Sequence, residues 1–512
     1  MRLTADVVII GAGSSGSVLA ARLSEDPARR VLLVEAGDWP TDPEIADPLK
    51  WTALQGRDYD WAYRTVPQPF TAGRVHEWPR GRIVGGSSCL HAMGHVRGHP
   101  DDFSAWAEAG GAAWSYEALL PYFARSERFS GPARAGRGRE GPLDVWLPDD
   151  DVSPVARAYM EAGRALGAPT LTDHNGGQLK GTAPNSLTIR NGKRLSVADA
   201  YLTREVRARP NLTILTSAVV EKCALEGSRV VSVHATRPDG RCEISGETVV
   251  LAAGAVATPL ILFRSGIGDP PTLEGAGIAP RIANREVGRN LQDHLLGFGN
   301  VYRARQPVPP SRLQHSESLM YLDARDIARA DGSPDIVLAC VVAPAVAPGL
   351  EAPPYGTAFT LLFGVCHPTS RGRILPGGPT AGDGPIIDPQ YLSTRYDRET
   401  FRAAFRMARR VAAHPALDGW RDCEVLPGPE VESDARIDAF VTACASTHHH
   451  PCGTCRMGSD ADAVVTPELA LNGVDNLYVV DASIIPRIPS GPINAVVVAV
   501  AEAWADRFAR SA

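Results

Sequence analysis

Residues 6–37 read DVVIIGAGSSGSVLAARLSEDPARRVLLVEAG. The opening run, Val7–Ile10, is continuously apolar, which is typical of a buried parallel strand. A glycine-rich turn follows at residues 11–16, then a segment with helical spacing of apolar residues, and then a second apolar run at Val31–Val34. This order of strand, glycine turn, helix and strand predicts a dinucleotide-binding unit.

Each glycine of the turn has a separate physical role. Gly11 permits the tight turn, Gly13 lets a pyrophosphate approach the backbone, and Gly16 lets the helix pack closely on the strand. The start of the helix offers unpaired N–H groups to the phosphates. Glu35, which lies 19 residues after Gly16, is placed to accept a hydrogen bond from a ribose hydroxyl and disfavours the 2′-phosphate of NADP. The turn alone leaves NAD and FAD open.

The bulk properties describe a large globular protein. A chain of 512 residues with 44% hydrophobic and 21% charged residues can bury a large core and should form more than one domain. The net charge of −6 gives no electrostatic case for nucleic acid or an anionic membrane. No run reaches the roughly 18 apolar residues of a membrane span. Nine cysteines without a secretory signal indicate reduced thiols and a cytoplasmic location.

Further strands and helices are predicted along the chain. Thr248–Ala252 reads as a strand that ends at a glycine, and Thr258 is placed to cap a helix beginning at Pro259, which makes a second strand–turn–helix unit. Residues 300–390 are rich in proline and contain strand-like runs, which favours a mainly antiparallel sheet in a second domain. The other predicted strands are Leu212–Leu215, Val230–Val233, Asp335–Val342, Ala358–Val365 and Asn476–Val480, and the other predicted helices are Pro154–Leu166, Arg398–Ala413, Asp434–Ser446 and Ile493–Phe508.

Chemistry-bearing side chains concentrate in residues 446–458, STHHHPCGTCRMG. Histidine and cysteine together are zinc ligands, so a zinc site formed by His448, His450, Cys452 and Cys455 is one reading. Acid–base catalysis is another, because an imidazole titrates near neutral pH and can take a proton from a hydroxyl group. A redox role of the CxxC has no thioredoxin-like setting. In an extended segment His448 and His450 share one face, and the residue between them points away.

The dinucleotide turn and five further stretches together resemble the glucose–methanol–choline (GMC) family of flavoprotein oxidoreductases over essentially the whole chain. The five stretches are residues 81–91, residues 254–268, residues 287–294, residues 450–458 and residues 480–483. The resemblance implies FAD as the cofactor. Residues 86–93, 310–318 and 447–455 are most similar to members that oxidise a ring-borne primary alcohol, which predicts conversion of pyridoxine to pyridoxal with reduction of O2 to H2O2.

The resemblance also implies a set of residues that contact FAD. They lie in the two glycine-rich turns, in the second strand–turn–helix unit and near the end of the chain: Gly11, Gly13, Ser14, Ser15, Gly16, Glu35, Ala36, Arg82, Gly85, Gly86, Ser88, His91, Ala92, Met93, Val219, Ala253, Gly254, Asp481, Ala482, Pro492, Ile493 and Asn494. Some relatives attach FAD through a histidine at the position of Leu90, so we expect non-covalent FAD here. No metal is expected.

The catalytic residues follow from the same resemblance. His450 matches the family's catalytic histidine, which accepts the hydroxyl proton while hydride moves to flavin N5. Many relatives carry a second His or Asn where this chain has Pro492, and a proline has no side-chain hydrogen bond to offer. We therefore expect His448 to supply the second contact. Arg312 and His315 are candidates for contacts to polar substituents of the substrate or are plain loop residues.

The predicted fold is α/β with an α+β second part: a Rossmann-like FAD-binding domain and a smaller antiparallel-sheet substrate domain. The FAD domain is expected to be discontinuous, with residues 1–150, 191–300 and 440–512, and the substrate domain to contain 151–190 and 301–439.

The expected partners are a small aromatic alcohol and O2, without nucleic acid or membrane, and the protein is expected to be a monomer or small homo-oligomer. The alternatives are oxidation of another aromatic or furanic alcohol, such as hydroxymethylfurfural or benzyl alcohol, by an oxidase or a dehydrogenase, and, from another class, a zinc-binding protein without flavin.

Overall fold

A computed structural model describes residues 1–148, 150–324 and 332–511. Two large sheets dominate this part of the chain, one mixed with a parallel centre and one antiparallel. The predicted α/β class with a second antiparallel sheet is therefore confirmed.

The first sheet is built around the N-terminal strand. Arg2–Ile10 lies between Val31–Val34 and Gly240–Leu251 and is parallel to both. The carboxyl ends of these three parallel strands therefore meet at one edge of the sheet, where ligands bind in open α/β sheets. The strands in spatial order are Leu212–Leu215, Val31–Val34, Arg2–Ile10, Gly240–Leu251, Arg229–Arg237 and Val219–Glu226, with Leu477–Val479 also parallel to Gly240–Leu251.

One part of this sheet is longer than the sequence analysis predicts. Arg229–Arg237 and Gly240–Leu251 form an antiparallel hairpin whose tip carries charged residues. Half of this hairpin lies near solvent, so its polar residues hide the strand signal that a continuous apolar run gives. The predicted strands Val230–Val233 and Thr248–Ala252 are its more buried ends.

The second sheet is antiparallel throughout. Its strands in spatial order are Arg421–Leu426, Val301–Ala304, Ala358–Val365, Ile336–Val341, Ser316–Leu322 and Gly181–Pro184, and Leu295–Gly297 joins Ala358–Val365 to Ala445–Thr447. The strands Leu295–Gly297 and Ala445–Thr447 fall in ranges that the sequence analysis assigned to the cofactor domain. The sequence analysis did not predict these two strands, because each is only three residues long and pairs with strands far along the chain.

Helices cover the sheets. The first and last long helices, Ser14–Leu23 and Asn494–Ser511, pack on each other, and Arg395–Ala412 packs on the second sheet, where the rings of Phe363 and Phe401 lie 5.3 Å apart. Within residues 1–148, 150–324 and 332–511 the remaining α-helices are Ser104–Gly110, Tyr116–Ser126, Pro154–Ala165, Val197–Tyr201, Arg204–Arg207, Gly254–Arg264, Pro270–Gly275 and Asp434–Cys444. No helix in this described part is long and apolar enough to cross a membrane.

Shorter elements complete the structure. Two-residue and three-residue strands pair as Tyr63–Arg64 with Glu77–Trp78, Glu127–Phe129 with Leu143–Val145, Ile189–Arg190 with Lys193–Arg194, Ile267–Gly268 with Ile282–Ala283, and Arg373–Leu375 with Ile386–Asp388. The 3₁₀ turns are Pro43–Ala46, Pro48–Leu54, Pro69–Thr71, Gly86–Cys89, Pro100–Phe103, Ala112–Trp114, Pro415–Leu417 and Ala482–Ile484.

The predicted start of one helix is wrong. Gly254–Arg264 begins at Gly254, so Thr258 and Pro259 lie inside it instead of at its start. Pro259 is the sixth residue of the helix and has no N–H to donate to the Ala255 carbonyl, which accepts instead from the Thr454 hydroxyl at 2.6 Å. Thr258 instead donates a hydrogen bond to Asp481, 2.6 Å away.

Candidate active site

A cavity of about 1140 Å³ lies between the two sheets. One end is lined by the two glycine-rich turns and the carboxyl ends of the parallel strands, and the other by apolar side chains of the second sheet, such as Leu319, Val337 and Leu362. This volume lies just above the roughly 300–1,000 Å³ of typical ligand pockets, which suits a large cofactor together with a small substrate.

The two glycine-rich turns form one cradle. The Gly85 N–H donates to the Ala12 carbonyl at 2.8 Å, which joins the turns. A β-carbon at Gly86 would lie 2.7 Å from the Gly13 Cα, whereas one at Gly13 would meet, among the described residues, only Gly86 at 3.9 Å. The space beside Gly13 is therefore left for a ligand, and this arrangement fits the pyrophosphate of FAD.

The predicted FAD contacts can be compared with the lining of this cavity. All of them except Gly16, Arg82, Gly85 and Ser88 line it. Gly16 has the packing role predicted for it, because a β-carbon there would lie 1.8 Å from the Gly11 carbonyl oxygen. Ser88 donates to the Gly85 carbonyl at 2.6 Å, and Arg82 donates to a backbone carbonyl outside the cavity. These four residues therefore lie behind the residues that line the cavity.

Glu35 does more than the sequence analysis predicts. One carboxylate oxygen accepts from the Ala12 N–H at 2.8 Å and the other from the Gly37 N–H at 2.9 Å, so the side chain holds the first glycine turn in place. Burial raises the pKa of Glu35 to about 7. Each carboxylate oxygen has two lone pairs, which leaves capacity for a ribose hydroxyl.

The chain end closes the cradle. Asp481 accepts from the Gly254 N–H at 2.8 Å and from Thr258, and thereby fixes the start of the second strand–turn–helix unit. The Ser14 hydroxyl and the Asn494 side-chain oxygen lie 2.6 Å apart, which joins the first helix to the last. Burial raises the pKa of Asp481. This carboxylate therefore positions the wall that Ala253 and Gly254 contribute.

Three histidine rings lie together in the wall between the cradle and the apolar chamber. The rings of His448 and His450 are 4.2 Å apart, and the Nδ1 atoms of His294 and His450 are 2.9 Å apart. His448 and His450 line the cavity. The predicted closeness of His448 and His450 is therefore observed, whereas the sequence analysis assigned no role to His294.

The hydrogen bonds around His294 determine which nitrogen of His450 carries a proton. His294 Nε2 lies 2.8 Å from the Cys366 carbonyl, which can only accept, so Nε2 carries hydrogen. Burial lowers the pKa of His294 to about 4, so the ring is neutral and its Nδ1 is an acceptor. The Nδ1 of His450 must then donate to it, and Nε2 of His450 keeps a free lone pair.

Buried charge and backbone hold this segment rigidly. Asp293 accepts from the His450 N–H at 2.8 Å, from the Thr447 hydroxyl at 2.6 Å and from the Tyr391 hydroxyl at 2.5 Å. The His448 N–H donates to the His294 carbonyl at 2.8 Å. The sequence analysis missed Asp293 and His294 as site residues, although both stand in residues 287–294, one of the stretches that carry the family resemblance.

The reason given for the arrangement of the histidines is wrong. His449 has a φ of 64°, in the left-handed region, so the segment is not extended there. Its N–H donates to the Thr447 hydroxyl at 2.8 Å, and its carbonyl accepts from Arg80 at 3.1 Å. These bonds hold a conformation that is uncommon for a residue with a side chain, and the resulting turn brings His448 and His450 into contact.

The cluster is neutral at physiological pH. Burial lowers the pKa values of His448 and His450 well below the ordinary histidine value, and the other histidines of the cluster lower them further. A neutral imidazole with a free lone pair is the form that a general base requires.

The alternative zinc site does not form as predicted. Within the part of the chain that the structure describes, the group whose ligand atoms lie within 4.8 Å of one another is His294, His448 and His450. Cys452 and Cys455 are fully buried and stand outside it, and burial raises the pKa of both thiols. The four-ligand set with both cysteines is therefore wrong.

The structure distinguishes the two residues that the sequence analysis considered for contacts to the substrate. His315 lines the cavity, and its Nδ1 is buried without a hydrogen-bond partner in the described residues. Arg312 is 79% exposed and pairs with Asp151 at 3.2 Å, away from the cavity. Only His315 remains a candidate.

With this geometry in place, comparison with known proteins identifies the class. The chain matches the family described as GMC oxidoreductase over residues 5–296 and again over residues 368–501. The chain therefore belongs to the GMC oxidoreductase family. It is an FAD-dependent alcohol oxidoreductase, and the cradle described above is where FAD fits.

Individual relatives are similar over nearly the full length. Pyridoxine 4-oxidase of Microbacterium luteolum is 51% identical and covers 98% of this chain and 99% of its own. The mitochondrial choline dehydrogenase of Mus musculus is 37% identical and covers 98% of this chain and 88% of its own. The crystal structure of pyridoxine 4-oxidase from Mesorbium loti has a TM-score of 0.97 at 53% identity, with 99% of each chain covered.

Proposed function

We propose that the protein oxidises the 4-hydroxymethyl group of pyridoxine to the aldehyde, giving pyridoxal, while O2 is reduced to H2O2. The similarity over the whole length to two pyridoxine 4-oxidases supports the substrate. The observation that carries the chemistry is the neutral His450, whose Nε2 lone pair is left free by the bond to His294.

The protein residues would divide the work as follows. His450 Nε2 takes the hydroxyl proton of the alcohol. FAD, when bound, would supply the two-electron redox chemistry that links removal of the carbinol hydride to reduction of O2. His448, whose ring lies 4.2 Å from that of His450, would make the second contact to the alcohol oxygen that Pro492 cannot make. The apolar second-sheet wall positions the substrate ring and excludes water.

The test of this function is an aerobic peroxide assay of the purified enzyme with pyridoxine, hydroxymethylfurfural, benzyl alcohol and choline. We expect the largest kcat/KM with pyridoxine, with one equivalent of H2O2 for each pyridoxal formed. Activity on choline without activity on pyridoxine would overturn the substrate assignment. A second candidate function is oxidation of another aromatic or furanic alcohol, which the apolar chamber also favours. It predicts the largest kcat/KM with hydroxymethylfurfural or benzyl alcohol.

We also propose that FAD is bound without a covalent link. Leu90 lines the cavity at the position where some relatives carry the linking histidine, and an alkyl side chain cannot form such a bond. The nearby His91 accepts the Met93 N–H on Nδ1 at 3.1 Å and is held in place. Acid precipitation should release all the yellow colour into the supernatant. Colour that stays in the washed pellet would contradict non-covalent binding.

Expectations on domains, location, oligomeric state and partners complete the proposal. We propose an FAD domain, 1–150, 191–300 and 440–512, and a substrate domain, 151–190 and 301–439, with the short strands Leu295–Gly297 and Ala445–Thr447 of the FAD domain extending the second sheet. The enzyme would act in the cytoplasm as a monomer or small homo-oligomer, using a small aromatic alcohol and O2 as its partners. The nine free cysteines, eight of them buried, agree with a reducing compartment.

A further inference from the structure

Asn185 offers a buried, unpartnered amide oxygen to the cavity between the two sheets. Asn185 lies directly after the strand Gly181–Pro184, lines the cavity and is 5% exposed. Its Oδ1 is buried and has no hydrogen bond to any residue that the structure describes. Buried acceptors are paired in nearly all folded proteins, so an unpaired one in a binding cavity indicates a ligand contact.

The orientation of the Asn185 amide is fixed by its other bonds. Its Nδ2 donates to the Ser316 carbonyl at 3.2 Å, and its backbone N–H donates to the Glu317 carbonyl at 2.9 Å. Because a carbonyl can only accept, the NH2 group must face Ser316 and the oxygen must face the other way. The free atom is therefore an acceptor, and it selects a group that donates a hydrogen bond.

The location of Asn185 places this acceptor beside the cofactor cradle. A methyl group at Gly94 would lie 3.6 Å from both amide atoms of Asn185 and 4.0 Å from the Pro492 ring. Gly94 directly follows the second glycine-rich turn, and Pro492 stands two residues before Asn494, which contacts Ser14 of the first turn. Asn185 therefore lies against the wall that Gly94 and Pro492 contribute to the cavity, beside the cofactor cradle.

We propose that Asn185 determines substrate specificity by accepting a hydrogen bond from a hydroxyl on the ring carbon next to the one that bears the reacting carbinol. The inference rests on the proposed function and names the ring feature that the site selects. The second sheet contributes the apolar side chains of Leu296, Leu319 and Leu362 to the same cavity. A ring without the hydroxyl would leave the Asn185 oxygen buried and unpaired, which is how such sites reject close analogues.

The experiment compares pyridoxine with 3-deoxypyridoxine, which lacks only the ring hydroxyl, in the wild-type holoenzyme and in Asn185→Leu. The wild type should prefer pyridoxine in kcat/KM by at least roughly 10-fold. In Asn185→Leu the two substrates should differ by less than about 3-fold, because only pyridoxine loses a contact. A ratio that is unchanged in the variant would overturn the inference.

A control variant and a fallback keep the result interpretable. Asn300 is equally buried and has an unpartnered Nδ2 within the described residues but does not line the cavity, so Asn300→Leu should keep the wild-type ratio. If Asn185→Leu does not bind FAD, Asn185→Ala removes the amide without added bulk and should show the same collapse. A wild type that oxidises other alcohols but not pyridoxine would refute the proposed function, whereas pyridoxine oxidation with an unchanged ratio would refute this inference alone.

Discussion

His450→Ala is expected to slow the anaerobic reduction of the flavin by pyridoxine by roughly 10²–10⁴-fold, which is the usual contribution of a positioned general base. The buried ring of His450 is neutral, and its Nδ1 is committed to His294, so Nε2 is the atom that takes the hydroxyl proton. Without it, the alcohol must lose its proton to water in an apolar chamber. Rapid-mixing measurement of the flavin absorbance gives the rate directly and excludes any effect of O2.

Two comparisons separate this role from simple damage. His448→Ala removes the neighbouring ring and should reduce the rate of flavin reduction less than His450→Ala does. An unchanged rate in His448→Ala would contradict the proposed pairing of the two histidines. Added imidazole should restore part of the activity of His450→Ala, because the lost side chain leaves a space of its shape. A His450→Ala enzyme that binds FAD normally and reduces it at the wild-type rate would exclude His450 as the base.

Gly13→Val is expected to abolish FAD binding while leaving the apoprotein folded. A β-carbon at Gly13 would meet, among the residues described, only the Gly86 Cα at 3.9 Å, and its φ of −73° suits any residue. The added side chain therefore enters the space left for the pyrophosphate. We expect the affinity for FAD to fall on the order of 100-fold or more, since the backbone must approach the phosphates closely.

The measurements are the FAD content of the purified protein and the melting temperature of the apoprotein. Gly275→Ala is the matched control, because a β-carbon at Gly275 meets nothing within 4 Å of the described structure, and it should keep both FAD and activity. Gly16→Ala should instead prevent folding, since its β-carbon would lie 1.8 Å from the Gly11 carbonyl oxygen. Full FAD binding by Gly13→Val would refute the assignment of the cradle.

Much of the fold follows from local sequence, because its signals are continuous. The apolar runs Val7–Ile10 and Val31–Val34 with the glycines between them define the centre of the first sheet, and the run Ala358–Val365 is found as a strand with the same bounds. The hairpin Arg229–Arg237 with Gly240–Leu251 is longer than its apolar parts suggest. Solvent lies beside it, so hydrophobicity does not mark its full length.

The site is predicted only where its residues are neighbours in sequence. His448 and His450 could be paired from their spacing, but His294 lies 156 positions from His450, and only the folded chain brings their Nδ1 atoms to 2.9 Å. The left-handed backbone of His449 depends on bonds to Thr447 and Arg80. Local sequence contains no signal for such bonds, so the protonated nitrogen of His450 could not be assigned before the structure.

The most direct test of the central claim is anaerobic mixing of the holoenzyme, as purified, with one equivalent of pyridoxine. A neutral His450 beside the FAD cradle predicts that the flavin absorbance bleaches fully and that one pyridoxal forms for each flavin reduced. An enzyme whose flavin remains oxidised with pyridoxine, or a purified protein that shows bound zinc in place of flavin bands, would contradict it.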